Sequence, residues 1–332
     1  MNKITPRYII LFIPLILAFT FQGKPVLSYY ISWAGSIFII FLTITGKIKK
    51  LPGKKGIKEQ FLRPFIFNHL ILIGYIVLTS IFYFLDISGY FYFEKSYPGD
   101  MLRITIAAEA QRYFLIGHIF LVIGLLSHNN YPKVPKWIIK TDSISGISLK
   151  LTIIFTIIAF ISKFIPGLQE FSHRFDNLSF ISSIITLALA LPEKKTWPLI
   201  FALGMFSINL SNSLFSGMKE SLMMPFLMLG VFLFRYYRKF ILLMLPVFIY
   251  VFLYFLPVFN KIYREKAWVQ DINKKVAFQQ AFYEVKNRNV DFKQIHWDFL
   301  TNRFTLLNHF SQYIENVPEH RPYYGSTIIS QA

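Results

Sequence analysis

The sequence predicts an all-α integral membrane protein: a polytopic helix bundle of about nine spans, followed by a long outer tail of amphipathic helices. Three observations predict this class. Of the 332 residues, 54% are hydrophobic and 16% are charged, whereas soluble domains carry about 25% charged residues. The hydrophobic residues are concentrated in long runs, as in membrane spans. The basic residues fall mostly in alternate connections between those runs, which indicates a fixed membrane orientation.

Each apolar run is a candidate span, because about 20 apolar residues in a helix cross the hydrocarbon core of a bilayer. Several of the runs are shorter than that. The nine runs cover approximately residues 8–22, 27–45, 65–86, 107–127, 149–166, 177–192, 197–213, 221–234 and 240–258. They predict a transmembrane bundle over residues 1–258 and an extracytoplasmic segment over residues 259–332.

The distribution of lysine and arginine predicts the orientation of the bundle. With the N-terminus inside, the inner segments carry 18 basic residues and the outer connections and outer span ends carry seven. This is the bias that the positive-inside rule describes. Nine crossings then leave the segment after residue 258 outside. The net charge of +18 therefore reflects membrane topology, and we expect no nucleic-acid partner.

The segment over residues 259–332 differs from the loops of the bundle. Its charges are mixed in sign, and the stretches "AFQQAFYEVKNRN" and "DFLTNRFTLLNHF" have the apolar periodicity of amphipathic helices. A polar, turn-prone "DINKK" precedes the first of them. The chain stops at "YYGSTIISQA" without a further apolar run, and from this we expect a C-terminally truncated fragment.

Several chemistries lack their residues or motifs in this sequence. There is no cysteine, which excludes disulfides, thiolate metal sites and cysteine nucleophiles. The sequence also has no Walker A motif, no HExxH motif and no GxSxG nucleophile elbow. We therefore expect neither a cofactor nor a bound metal.

Charged side chains within or beside apolar spans are costly and are candidate functional residues. Glu109 and Arg112 are three residues apart at the outer end of the fourth run, so they either pair with each other or contact a substrate. His118 lies one to two turns deeper. It either forms a hydrogen bond between helices or takes part in chemistry.

Two outer connections carry further candidates. Lys163, Arg174 and Asp176 lie in and around the connection between the fifth and sixth runs, where the cations either meet an anionic substrate or are solvated. Lys219 and Glu220 lie in the polar turn "SNSLFSGMKES" before the eighth run. Glu220 there either caps a helix N-terminus or lines a polar cavity.

Two arginines of the tail are candidates for contact with the membrane or with an anion. Arg264 follows the ninth run beside aromatic residues, which is typical of an interfacial anchor. Arg303 lies near the middle of the apolar face of the helix predicted over Asp298–Ile314. A guanidinium on that face must snorkel to solvent, pair with an acid or bind an anion. Its planar donors suit phosphate and pyrophosphate.

The order of three motifs resembles the O-antigen polymerase (Wzy-type) family, and most closely the Wzy-like proteins of bacterial surface-polysaccharide and exosortase-linked loci. The motifs are Ser216–Glu220, Asn302–Phe304 and Val317–Thr327, and the resemblance covers roughly the C-terminal third. It implies a glycosyltransferase in the bacterial inner (plasma) membrane. Such an enzyme transfers a glycan from undecaprenyl pyrophosphate onto another lipid-linked repeat unit at the outer face of the membrane, without a nucleotide sugar.

The resemblance implies a role for three residues, and the chemistry of the reaction and the positions of charges suggest roles for four others. Arg303 occupies the position of a functional outer-loop arginine, and Lys219 and Arg264 match more weakly. Fixed cations of this kind would stabilise a pyrophosphate leaving group without a metal. Glu220 and His309 are the candidate general bases for the acceptor hydroxyl. Arg174 and Arg112 complete the predicted substrate-binding set.

The implied partners are a lipid-linked oligosaccharide (an undecaprenyl pyrophosphate glycan) and membrane lipid, with a chain-length regulator or a flippase as a candidate protein partner. Three alternatives remain open. The first is an O-antigen ligase-like transferase, which differs only in the acceptor. The second is a non-enzymatic transporter or flippase of lipid-linked sugars, which would act through charges inside the bundle. The third is an inactive fragment.

Overall fold

The computed structural model describes residues 6–49, 66, 69, 71, 73–128, 143–216, 219–234, 236–287 and 291–317. These residues are helical apart from turns and one two-stranded hairpin. The all-α prediction is therefore confirmed for the described part of the chain, and the small hairpin is an addition to it.

The helices before residue 130 begin with α1 (Ile13–Thr20), which continues a 3-10 segment over Pro6–Phe12. Next come α2 (Pro25–Ile44), a π-helical turn over Gly74–Leu78 and α3 (Ser80–Ile87). Strands β1 (Tyr90–Phe91) and β2 (Glu94–Lys95) form the hairpin, and α4 (Met101–His128) follows it.

The later helices are α5 (Ile144–Ser162), α6 (Gln169–Glu193), α7 (Thr196–Ser216) and α8 (Lys219–Phe234). A long helical stretch then runs through α9 (Arg238–Ile249), a π-helical segment over Tyr250–Phe255, α10 (Leu256–Arg264) and a second π-helical segment over Glu265–Val269. The last elements are α11 (Lys274–Asn287), α12 (Phe292–Asn302) and α13 (Leu307–Asn316).

Five helices of the described residues are long and apolar enough to cross a membrane, which makes this a membrane protein by the length and composition of its helices. They are Pro25–Ile44, Met101–Ser127, Ile144–Ser162, Gln169–Glu193 and Arg238–Val269. Four shorter apolar helices accompany them: Arg7–Thr20, Gly74–Ile87, Thr196–Ser211 and Leu222–Phe234. Each of the nine apolar runs of the sequence overlaps one of these nine helices.

Two local predictions are wrong. The connection expected before residue 177 is already helical, because α6 begins at Gln169, so Arg174 lies on a helix and not in a loop. Past the positive-φ turn at Gly167, the segment has no glycine or proline until Pro192, so nothing interrupts the helix. The single helix expected over Asp298–Ile314 is two helices, α12 and α13, with a break over residues 303–306.

The described residues form two compact units. The first comprises residues 1–135 and 297–332, and the second comprises residues 136–296. The predicted boundary at residue 258 concerns the side of the membrane on which each segment lies, and it stays a prediction.

In the first unit, α2 and α4 run parallel and pack closely. Near their N-terminal ends, Arg112 Nη1 donates to Ser28 Oγ at 3.0 Å, and near their C-terminal ends Lys49 Nζ donates to the carbonyl of Leu126. Small residues line the packed face of α2, where Ser28, Ser32 and Ser36 are fully buried. Such residues let membrane helices approach closely.

The second unit is built around the α5–α6 pair and a cluster on the long α9–α10 stretch. Ser148 Oγ of α5 donates to the carbonyl of Ser182 at 2.8 Å, and the hydroxyls of Thr156 and Ser179 are 2.7 Å apart. Helix α11 packs on α10 through Ala277, Ala281 and Val285, which recur at one-turn spacing. The amphipathic helix predicted for "AFQQAFYEVKNRN" is therefore present.

Candidate functional site

The most elaborate polar site in the first unit is built around Trp297, the first residue of the C-terminal segment (residues 297–317). The hairpin turn between β1 and β2 is Tyr92–Phe93, and both residues have positive φ, 50° and 72°. Two-residue hairpin turns of the primed types require positive φ, but Asn and Gly usually supply it because bulky residues are strained there. This strain must be offset by packing.

Aromatic contacts around Trp297 provide that packing. The ring centroids of Phe91 and Tyr92 each lie 6.2 Å from that of Trp297, and that of Phe93 lies 5.4 Å away. We call Asp86, Phe91, Tyr92, Phe93, Tyr97 and Trp297 the Trp297 cluster. Trp297 itself is buried, whereas Phe93 and Tyr97 remain exposed.

A carboxylate lies at the centre of the Trp297 cluster. Asp86, at the C-terminal end of α3, accepts hydrogen bonds from Trp297 Nε1 at 2.8 Å and from the Tyr97 hydroxyl at 2.9 Å. Burial raises the pKa of Tyr97 to about 12, and its hydrogen bond to Asp86 and the charge of Asp86 act in the same direction. Tyr97 therefore keeps its proton at neutral pH and remains a donor to the carboxylate.

We expect Asp86→Ala to lower the free energy of unfolding by about 1–3 kcal/mol, because it leaves the buried indole N–H of Trp297 without an acceptor. Asp86→Asn should cost less, since its amide oxygen can still accept that bond. The measurement is an unfolding titration in mixed micelles. Glu94→Ala, at an exposed position on β2, is the matched control and should change stability by less than about 0.5 kcal/mol. Equal losses in the Asp86→Ala and Glu94→Ala variants would contradict the role of this carboxylate.

The C-terminal segment packs onto the ends of α2, α3 and α4. Leu307 is fully buried in a core with Tyr29, Phe84 and Ile104. One helical turn later, Phe310 stacks on Phe114 of α4 with a centroid distance of 4.9 Å. The segment is therefore an integral part of the first unit.

Arg112 has partners other than the predicted one. Its guanidinium donates to Ser28 Oγ and lies over the ring of Phe19, 5.5 Å from the centroid. Ser28 Oγ in turn donates to the carbonyl of Ala18 at 2.8 Å. Glu109 accepts a hydrogen bond from Tyr113, and no ion pair within 4.0 Å joins Glu109 to Arg112 among the residues described. The expected pair is thus replaced by a half-buried cation that ties α4 to α1 and α2.

Arg303 is exposed, in the break between α12 and α13, so its predicted position on an apolar helix face is wrong. The backbone N–H groups of Arg303 and Phe304 both donate to the carbonyl of Phe299, which ends α12. Thr305 Oγ1 accepts the N–H of Leu307 at 3.1 Å, which forms a local turn just before α13. A threonine side chain that bonds the backbone two residues later competes with the helical hydrogen bonds, and this favours the break.

The exposed position of Arg303 leaves its side chain accessible to a ligand. Its guanidinium has no ion-pair partner among the residues that the structure describes, and it does not need to snorkel. His309, on α13, is exposed as well. Arg112, Arg303 and His309 therefore belong to one unit, together with the Trp297 cluster and with Arg103, whose Nε lies 3.5 Å from Asp100 Oδ2.

The other predicted site residues belong to the second unit. Arg174 is exposed on α6, and its neighbour Asp176 pairs with Lys163 at 3.1 Å. Arg264 lies over the ring of Trp268, 4.9 Å from the centroid. Lys219 and Glu220 begin α8, and their side chains lie outside the described part of the structure.

None of the six residues of the Trp297 cluster was anticipated from the sequence. Asp86 carries a signal that could have been used, because it is the acidic residue at the end of the third apolar run. Its partnership with Trp297, 211 residues later, has no local signal. The structure also shows that the hydrogen-bond partner of His118 is His69.

The fold and the site define an all-α membrane protein whose C-terminal segment closes an aromatic and carboxylate cluster at one end of its first unit. The family model "Domain of unknown function (DUF8712)" matches residues 13–332, and the chain belongs to this family. No curated protein and no solved structure matches the chain.

Proposed function

We propose that this protein is a membrane glycosyltransferase of the bacterial inner membrane, which polymerises lipid-linked surface polysaccharide at the outer face. The observation that carries the proposal is the packing of the arginine-bearing C-terminal segment onto the ends of α2, α3 and α4. This packing puts Arg303 in the same unit as the Trp297 cluster, on helices suited to a membrane. The substrate would be a glycan on undecaprenyl pyrophosphate.

The packing of α2 and α4 supports the predicted crossings of the first four apolar runs. Because α2 and α4 run parallel, the chain between them has to return across the membrane, which favours counting Gly74–Ile87 as a span despite its length. The N-terminal ends of α2 and α4, the C-terminal end of α3 and the C-terminal segment then share one side.

The chemistry that we propose uses the side chains of this end of the first unit. Transfer leaves the lipid pyrophosphate with developing negative charge, which fixed guanidinium groups stabilise. Arg303 is the main candidate, since it is exposed and has no described ion-pair partner. His309 is the candidate general base for the acceptor hydroxyl, because it lies in the same unit and six residues from Arg303. The aromatic rings exposed at Phe93 and Tyr97 would contact sugar faces or lipid.

The test is complementation of a polymerase-deficient bacterial host, with glycan chain length read on gels and protein level read by immunoblot. We expect Arg303→Ala to reduce polymer by about 100-fold, the cost of removing one donor to a developing anion. Arg303→Lys should also fail, since an ammonium lacks the planar fork. Lys286→Ala, an exposed cation on α11, should behave as wild type.

Two outcomes of this test would change the proposal. Full-length polymer from Arg303→Ala would remove Arg303 from the site. Restoration by Arg303→Lys would show that a point charge suffices. A ligase-like transferase differs only in the acceptor, so transfer of preformed polymer without chain extension would favour that activity instead.

A further inference from the structure

Two histidines meet in the apolar interior of the first unit. His69 precedes the π-helical turn and His118 lies in the middle of α4, and their Nε2 atoms are 2.6 Å apart. The exposed fraction of His69 is 0% and that of His118 is 2%. Both residues lie within predicted spans, where an ionisable side chain is a candidate functional group.

The hydrogen bond between these rings leaves two other atoms unsatisfied. One ring must donate through Nε2–H, so its Nδ1 carries a lone pair. The other ring accepts at Nε2, so its Nδ1 carries the proton. Both Nδ1 atoms are buried without a hydrogen-bond partner among the residues described. A buried polar atom without a hydrogen bond destabilises the fold, so two apolar side chains would serve stability better.

Other unsatisfied polar atoms lie on the same two packed helices. Gln111 of α4 is fully buried with both amide atoms unpartnered among described residues, and so is the hydroxyl of Ser36 on α2. A Cβ added at Gly35 would lie 3.6 Å from Leu115 Cδ1, so its neighbour Ser36 lies where α2 meets the stretch of α4 between Gln111 and His118. Gln111 is two turns, or about 10 Å, from His118 along the helix. Buried polar atoms of this kind are where proteins bind internal water.

The charged surroundings of the two rings are sparse. The other titratable side chains on the described elements that pack against this region are Arg7, Tyr8, Tyr29, Tyr30, Tyr75, Tyr83, Asp86, Arg103, Glu109, Arg112, Tyr113 and His128. Among these side chains, Arg112 forms a hydrogen bond with Ser28, Tyr29 with Ser80, and Glu109 with Tyr113.

We propose that His69 and His118 form a proton-transfer site in the membrane interior. A water molecule delivers a proton to the unprotonated Nδ1 of the ring whose Nε2 carries hydrogen. That ring passes its Nε2 proton to Nε2 of its partner, which releases its own Nδ1 proton to a second water. One proton enters, one leaves, and both rings end in the opposite tautomer. A flip of the rings, or the reverse transfer, restores the starting state.

This inference goes beyond the proposed transferase activity and does not depend on it. The four ring nitrogens provide an entry, a shared hydrogen bond and an exit in series, and neither Nδ1 is engaged by a hydrogen-bond partner among the described residues. Proton movement could therefore proceed in a chain whose Arg303 has been replaced.

The direct test is proton flux into sealed vesicles that contain the full-length protein, driven by a potassium diffusion potential and read with a trapped pH dye. We expect wild-type flux above that of protein-free vesicles. His69→Phe and His118→Phe should each reduce it to the protein-free rate. His173→Gln replaces an exposed histidine on α6 and should leave the flux unchanged. Wild-type flux equal to that of empty vesicles would overturn the proposal, and so would undiminished flux in both phenylalanine variants.

A second measurement does not rely on variants that fold. In the full-length protein labelled with ¹⁵N-histidine, a relay requires the Nδ1 proton of the buried pair to exchange with deuterium as fast as in exposed histidines. A static structural hydrogen bond would protect that proton for hours, as local opening would be needed. Such protection would contradict the relay, whatever the flux experiment shows.

Discussion

Replacing Gly35 by alanine is expected to lower the stability of the detergent-solubilised protein by about 1–3 kcal/mol, and replacing it by leucine is expected to cost more. An added Cβ at this position would overlap Pro14 Cβ, and it would lie 3.3 Å from Pro14 Cγ and 3.6 Å from Leu115 Cδ1. Pro14 cannot move its ring as a flexible side chain would. The strain would therefore separate α1 from α2.

The matched control for Gly35 lies on α4. Gly117 is an exposed helical glycine, and a Cβ added there would meet no atom within 4 Å. Gly117→Ala should be neutral or stabilising by up to about 1 kcal/mol, because alanine loses less backbone entropy on folding. The variants are compared by their melting temperatures, which are measured by size-exclusion chromatography with fluorescence detection after heating. Similar melting temperatures for Gly35→Ala and Gly117→Ala would show that α2 does not pack as described.

Replacing His296 by phenylalanine is expected to destabilise the second unit by about 1–3 kcal/mol. Leu253 lies in the π-helical segment, and Pro257 has no N–H with which to donate to its carbonyl four residues back, as a regular α-helix would require. His296 Nε2 lies 2.9 Å from that carbonyl. Since a carbonyl only accepts, the histidine must donate. His296→Phe removes this side-chain donor from a carbonyl in an apolar stretch.

Restoring the missing donor should rescue the phenylalanine variant. Pro257→Ala reintroduces an N–H four residues after Leu253. We expect a favourable coupling energy of about 0.5–3 kcal/mol between the two substitutions in a double-mutant cycle, with the single Pro257→Ala variant as the baseline. Strictly additive losses would mean that His296 stabilises by packing alone.

The same histidine predicts a pH dependence. Burial lowers the pKa of His296, while its hydrogen bond to the Leu253 carbonyl acts in the opposite direction. A histidine whose folded pKa lies below its unfolded value contributes stability above that unfolded value, and the contribution is lost as the pH falls. Wild type should therefore lose stability relative to His296→Phe from about pH 6.5 downward.

Much of the architecture was predictable from the sequence because its causes are local. Nine apolar runs became helices, since a run of apolar side chains without interruption needs only neighbouring residues to form its backbone hydrogen bonds. The helix α11 was equally predictable from the one-turn spacing of its apolar residues. The prediction of a membrane protein rests on the same length and composition.

The candidate site was less predictable, because its parts are distant in sequence. Arg112 and Arg303 were recognised as unusual cations, but the sequence suggested the wrong surroundings for each. Arg112 forms a hydrogen bond with Ser28, 84 residues earlier, instead of an ion pair with Glu109 on its own helix. Helical periodicity assigns a face to every residue of a continuous helix, so it could not detect the break that exposes Arg303.

The sequence by itself determined that the chain forms apolar helices, which segments they occupy and which charged residues are exceptional, because hydrophobicity and helical periodicity act within a few turns. Only the tertiary structure decided which of those residues meet. Asp86 joins Trp297 and His69 joins His118 because packed helices bring together hydrogen-bonding groups that have no other partner inside an apolar interior. The hydrogen-bond partner of each such group comes from a residue distant in sequence, so the spacing of residues along the chain cannot predict it.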